Sequence, residues 1–173
     1  MIAVNEKTSQ RWEKASLGDL IDYIVNVHHA YLYKALPEID QYARTIESVH
    51  GSYQPELGEV RKLVSDVRRE LELHLTREEK DMFPLIGKLE REPSYESLRQ
   101  AERMIRALES DHQSCEETLA RLRTVTNDYE LPEWACPTYK LAYEKLQELE
   151  TDLALHAALE DEVLFPRALG RQG

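Results

Sequence analysis

Leu73-His74-Leu75-Thr76-Arg77-Glu78-Glu79-Lys80-Asp81-Met82-Phe83-Pro84 is matched further along by Leu155-His156-Ala157-Ala158-Leu159-Glu160-Asp161-Glu162-Val163-Leu164-Phe165-Pro166, so the pattern LHxxxExxxxFP occurs twice in 173 residues. On a helix, residues four apart stack on one face and reach toward one point. A histidine and a glutamate at that spacing can chelate a metal ion: the imidazole binds end-on, and the carboxylate binds the same ion or bridges to a second. Two copies imply two ions.

The echo reaches further back. His29 stands 45 residues before His74, and His112 stands 44 before His156. The chain therefore reads as two matched halves, each with one lone histidine on its first helix and one His-Glu pair on its second. A pseudo-twofold bundle brings His29, His74, Glu78, His112, His156 and Glu160 together as a ligand set for two metal ions.

Composition narrows the partners. With 22 basic and 33 acidic residues the formal charge is −11, which repels phosphate backbones, and no basic stripe offsets it, so nucleic acid is not an expected partner. Mean hydropathy is −0.59, and no apolar run approaches the roughly 20 residues that span a bilayer. The N-terminus lacks the basic end and apolar stretch of a secretory signal, so a soluble cytoplasmic protein with no membrane partner is expected. Cys115 and Cys136, the two cysteines, form no CxxC pattern and read as ordinary reduced thiols. Any metal is then held by nitrogen and oxygen.

Long stretches of helix-forming residues carry apolar positions at three- and four-residue spacing, interrupted by six glycines and seven prolines in the whole chain. The fold class is all-α: an antiparallel four-helix bundle over residues 16–170, preceded by a short segment, 1–15. Ser16-Leu17-Gly18-Asp19 resembles a capping box and starts the first helix. Pro37 is expected to kink or restart that helix. A second helix runs from Glu56 to about Leu89 with an interruption near Pro84, a third from about Tyr95 to Val125, and a fourth from about Thr138 to Ala168.

Other readings compete for the same residues. Ferritin-like di-iron proteins use Glu-x-x-His, and the chain contains Glu47-Ser48-Val49-His50 and Glu109-Ser110-Asp111-His112. Those two motifs fall out of register with the internal repeat and leave both His-x-x-x-Glu copies without a purpose. His28 adjoins His29, but helical neighbours point about 100° apart, and only His29 keeps register with His112. His50 reads as a surface or supporting residue. Glu70 and Asp111 are candidates to line a polar exit or tune the site, with solvated helix faces as the alternative. Two ions bridged by two carboxylates favour iron, with manganese behind it; a structural zinc site is usually a single tetrahedral centre, often with sulfur. Spacing does not separate iron from manganese.

These residues resemble a known family, the hemerythrin-like di-iron domain of the repair-of-iron-centres proteins, which restore iron–sulfur clusters damaged by nitric oxide or oxidants. The resemblance spans nearly the whole chain. It rests on Leu20-Ile21-Asp22-Tyr23-Ile24-Val25 leading to His29 and Leu36-Pro37-Glu38, on both His-x-x-x-Glu copies with their Phe-Pro endings, on Glu109-Ser110-Asp111-His112, and on Pro132-Glu133-Trp134-Ala135-Cys136.

The resemblance implies His29, His74, His112 and His156 as terminal ligands of two non-haem irons. Glu78 and Glu160 are implied as bridging carboxylates, with an oxo or hydroxo group between the irons. It also implies damaged iron–sulfur proteins as partners, and nitric oxide, dioxygen or peroxide as small-molecule partners. The function expected is cluster repair by iron donation or nitric oxide handling, the alternative being dioxygen or nitric oxide binding or sensing without turnover. Family members commonly carry an N-terminal domain with an adjacent cysteine pair, and only about fifteen residues precede the first helix here. Glu116, one turn after His112, stands where a small residue is the family expectation; it either fills an open iron position or faces solvent.

Overall fold

The computed structural model describes Trp12 and residues 14–170, whose regular structure is helical with no strand among them. The first run comprises α1 (Leu17–Tyr23), a π-helical segment π1 (Ile24–His29) and α2 (Ala30–His50). The second comprises α3 (Glu56–Arg77), π2 (Glu78–Met82) and α4 (Phe83–Arg91). The third is a single helix, α5 (Tyr95–Val125), and the fourth comprises α6 (Pro137–Leu159), π3 (Glu160–Leu164) and α7 (Phe165–Ala168). Four long helical runs separated by short turns are the helical-bundle class that the sequence pattern leads one to expect.

Local chemistry explains the boundaries. Ser16 caps α1, its hydroxyl accepting from the Asp19 backbone N–H at 3.0 Å. Ser94 does the same for α5, accepting from the Ser97 N–H at 3.1 Å. Pro37 does not end its helix, since Ala30–His50 runs through it without a break. Pro37 is exposed, so the residue that lacks an N–H lies on the water-facing side of the helix.

The interruption expected near Pro84 is a π turn, in which the Phe83 N–H reaches back five residues to the Glu78 carbonyl. Phe165 does likewise to Glu160. Each Phe is followed by a proline that has no N–H to place, so the Phe-Pro ending suits the position where the ladder changes register.

Contacts gather in two compact units. The first comprises the described residues up to Ala30, Leu73–His112 and the chain from Asp152 onward. Its apolar core joins Leu20 and Ile24 to Met82, Phe83 and Ile86, to Ala101, Ile105 and Leu108, and to Leu164 and Phe165. Within it α1 packs against α4 and π3, and α4 against α7. Arg167 ties the N-terminal end down through the carbonyls of Trp12 and Ala15, the latter at 2.7 Å.

The second unit comprises Tyr31–Glu72 and Gln113–Thr151. Among its buried side chains are Leu32, Leu36, Ile39, Leu57, Val60, Leu122, Tyr143 and Leu146. Asp40, 4 % exposed, is neutralised by Arg44 and Arg68, each at 3.1 Å. No described helix is long and apolar enough to cross a membrane.

Candidate metal centre

All six residues singled out by the repeat lie in the first unit, and they converge. Among the described residues, two groups of potential metal-holding atoms occur, His29-Glu78-His156-Glu160 and His74-Glu78-His112-Glu160, each with its atoms within 4.8 Å of one another. Both glutamates belong to both groups. His29 Nε2 lies 3.3 Å from His156 Nε2, and His74 Nε2 lies 3.1 Å from His112 Nε2. Two nitrogens bound to one ion at about 2.1 Å and roughly a right angle stand about 3 Å apart, so both spacings match donors sharing an ion.

The carboxylates are directed accordingly. Glu78 sets Oε1 3.2 Å from His74 Nε2 and Oε2 3.4 Å from His29 Nε2. Glu160 sets Oε1 3.1 Å from His156 Nε2 and Oε2 3.2 Å from His112 Nε2. Each carboxylate therefore offers one oxygen to each pair of imidazoles.

Both glutamates are completely buried, yet neither oxygen of Glu78, nor Oε2 of Glu160, has a hydrogen-bond partner. Buried polar atoms without well-aligned hydrogen bonds are costly, and coordination is a chemistry that satisfies them. The nitrogen and oxygen donor set, free of sulfur, fits iron or manganese.

The outer imidazole nitrogens are fixed by a second set of acids. The Nδ1–H of His29 donates to Glu79 at 2.8 Å, that of His112 to Asp161 at 3.0 Å, and that of His74 to Asp111 at 3.3 Å. A carboxylate only accepts, so these bonds keep a proton on Nδ1 and turn Nε2 inward as the atom that would ligate when the ring is neutral. Glu79 and Asp161 escaped the sequence reading although the repeat carries them, since each copy sets a second acid directly after its inward glutamate. Asp111, bonded to His74, is held also by Arg77 at 3.0 Å.

Glu70 and Glu116 are exposed and belong to neither group. Glu47 pairs with Arg61 at 2.7 Å, and Glu109 is exposed; neither glutamate of the competing Glu-x-x-His motifs belongs to the two groups. His28 is buried but outside both groups, bonded to Asp152 at 2.9 Å and stacked on His156 at 5.5 Å between ring centres.

The π segments are what bring these donors to one place. His29 closes π1, Glu78 opens π2 and Glu160 opens π3. A π turn holds an extra residue and rotates the next stretch of helix, so each His-Glu pair and the apolar residues after it share the inward face. Such turns cluster at functional sites, and here all three coincide with inward-facing donors.

Electrostatics bind the cluster together. Burial lowers the pKa of His112, but its bonds to Asp161 and Glu160 outweigh that and raise it to about 10. His29 and His74 are also raised, against burial, chiefly by Glu78. Glu160 is held well below the usual carboxylate range: burial, which raises it, is outweighed by His156 and His112.

Residues 20–168 match the model of the hemerythrin HHE cation-binding domain. The chain belongs to this hemerythrin family. It is 34 % identical over 158 residues to the iron–sulfur cluster repair protein YtfE of Escherichia coli O157:H7, covering 91 % of this chain and 69 % of that protein. The proteins of the same name from Escherichia coli O1:K1 / APEC and from Escherichia fergusonii show the same identity and coverage. The family description names a cation-binding domain, and the two His-Glu groups of this hemerythrin-family chain are side chains that could hold a metal ion.

Proposed function

We propose that this hemerythrin-family chain repairs iron–sulfur clusters damaged by nitrosative or oxidative stress, using a non-haem di-iron centre. The two buried carboxylates would hold both irons, and an oxo or hydroxo ligand would complete the centre. His29 and His156 serve one iron, His74 and His112 the other, and Glu78 and Glu160 span both. The observation that carries the reading is the division of each buried carboxylate between the two imidazole pairs. The similarity to YtfE supports the repair role.

Bound there, the irons supply Lewis acidity, electron transfer and open positions for nitric oxide, dioxygen or peroxide. The chain's residues do the rest. Glu79, Asp111 and Asp161 hold the imidazole tautomers, and the closed apolar core around Phe83 and Phe165 excludes water from the inner side. His112, with 11 % of its side chain exposed, is the least buried of the six and marks the side open to small molecules. Two imidazoles and two shared carboxylates would leave each iron short of a closed shell, which would suit both delivery of iron to a damaged cluster and capture of its nitric oxide.

Elemental analysis of anaerobically purified protein is expected to give two irons per chain, falling sharply in His74→Ala and in His156→Ala, with nitric oxide-damaged cluster proteins recovering activity only with the parent. Full iron content in both variants would defeat the ligand assignment; iron without repair would leave small-molecule binding or sensing as the function.

Asp161→Asn is expected to weaken iron binding by roughly 10- to 100-fold, because the neutral amide holds the His112 Nδ1–H less firmly. Titration against a competing chelator reads this, and unchanged affinity would remove Asp161 from the account.

A further inference from the structure

The second unit carries a separate pairing of nucleophile and base. His50 Nε2 lies 3.3 Å from the Sγ of Cys136, which is hydrogen-bond distance for sulfur. The imidazole has two aromatic neighbours and its backbone is anchored. Its ring lies 5.3 Å from that of Trp134 and 5.6 Å from that of Tyr139, and its backbone carbonyl accepts from Gln54 N–H at 2.9 Å. Both partners are only partly buried, and Trp134 beside them is 49 % exposed.

Cys136 also occupies the position just before α6, its carbonyl accepting the Lys140 N–H at 3.1 Å. The 23-residue helix that starts at Pro137 thus begins directly after the residue that carries the sulfur. Tyr139 also lines an adjacent cavity of about 210 Å³, whose walls include Gln54, Glu56, Asn127, Glu130 and Pro132. Its lining contains carboxylates and no basic residue.

We propose that Cys136 is a modification site, a thiol activated by His50 that exchanges with small disulfides, preferentially neutral or amine-bearing ones. The Cys136 S–H proton passes to His50 Nε2. The thiolate attacks one sulfur of the disulfide, a new S–S bond to Cys136 forms as the old one breaks, and the departing thiolate takes the proton back from His50. Cys136 ends as a mixed disulfide and half of the reagent leaves as a thiol, so the disulfide is itself the oxidant. The pairing of a sulfur with a base in hydrogen-bond reach is the geometry that activates a nucleophile. Cys115 lacks it: the side chain is 8 % exposed and burial pushes its thiol up to about 12. The acidic cavity, in a chain of charge −11, disfavours anionic disulfides such as oxidised glutathione.

The test monitors mixed-disulfide formation in the whole chain by intact mass and peptide mapping, with cystamine and with oxidised glutathione. Cys136 is expected to react at least about tenfold faster in the folded chain than in the urea-unfolded one, and faster with cystamine. His50→Gln is expected to slow it about tenfold, and Cys136→Ser to abolish the adduct. The comparison of folded with unfolded parent needs no variant to fold. Equal folded and unfolded rates, an adduct at Cys115 instead, a His50→Gln rate matching the parent's in a variant that melts normally, or a preference for glutathione would each overturn the proposal.

Discussion

Glu160→Gln is expected to release both metal ions, not one. The side chain is fully buried, and its two oxygens face His156 and His112, one from each imidazole pair. Glutamine keeps the volume but removes the charge and replaces one acceptor with a donor, which no cation tolerates as a ligand. Loss of an outer hydrogen-bonding acid typically weakens a metal site 10- to 100-fold, so loss of a shared carboxylate is expected to cost at least about 100-fold. His74→Ala removes one imidazole and leaves both bridging groups, a smaller perturbation. Glu116→Gln is the control: that carboxylate is exposed, belongs to neither donor group and is expected to leave iron content unchanged. Iron per chain measured for the three variants checks the ranking, and a Glu160→Gln protein that keeps both ions would sink the bridged arrangement.

Stripping the chain with a chelator is expected to make its stability strongly pH-dependent. His112, raised from 6.5 to about 10 by Asp161 and Glu160, binds its proton more tightly folded than unfolded. Its contribution is fully present below pH 6.5 and is lost as pH rises toward 10. His29 and His74, also raised, add in the same direction. Glu160 works at the other end: its pKa is depressed from 4.5, so its contribution is present above that value and is lost as pH falls.

The stripped chain is therefore expected to be most stable between about pH 4.5 and 6.5. Metal binding requires neutral imidazoles, so loading releases protons, and the stabilisation gained from metal grows as pH rises through this range. Thermal melts of stripped and loaded protein across pH 6.5 to 10 measure the difference. The alkaline loss should shrink in His112→Gln, which separates it from the general self-repulsion of an acidic chain. A stripped parent that gained stability above pH 6.5 would contradict the picture.

The range of each interaction decides how much of the fold and the site is legible in the sequence. The spacing of His74 to Glu78 and of His156 to Glu160 is fixed by one helical turn, so a repeat of that spacing announces itself without any tertiary knowledge. The register of His29 with His112 extends it to six residues, and the structure brings those six together. The helix spans are readable for the same reason, and the third, Tyr95–Val125, starts and ends where its apolar pattern does.

Pro37 reads as a possible restart because sequence shows the missing donor but not which side of the helix faces water. The Phe-Pro endings signal an interruption, yet that it takes the form of a π turn depends on Phe83 and Phe165 being drawn into the core. Glu79 and Asp161 are visible as repeated acids without a role, because sequence does not show which helix lies across from them.

What the sequence determined by itself is therefore the helical class, the two matched halves and the six-residue set, all consequences of spacing along a helix. The tertiary structure alone decided the pairing across helices: His29 with His156, His74 with His112, the Nδ1 of His29, His74 and His112 each with its own acid, and His50 with Cys136. The partners in the two imidazole pairs and in the His50–Cys136 pair are separated by 127, 38 and 86 residues respectively. Contacts over such distances are set by how helix faces pack, and backbone periodicity carries no record of which face meets which.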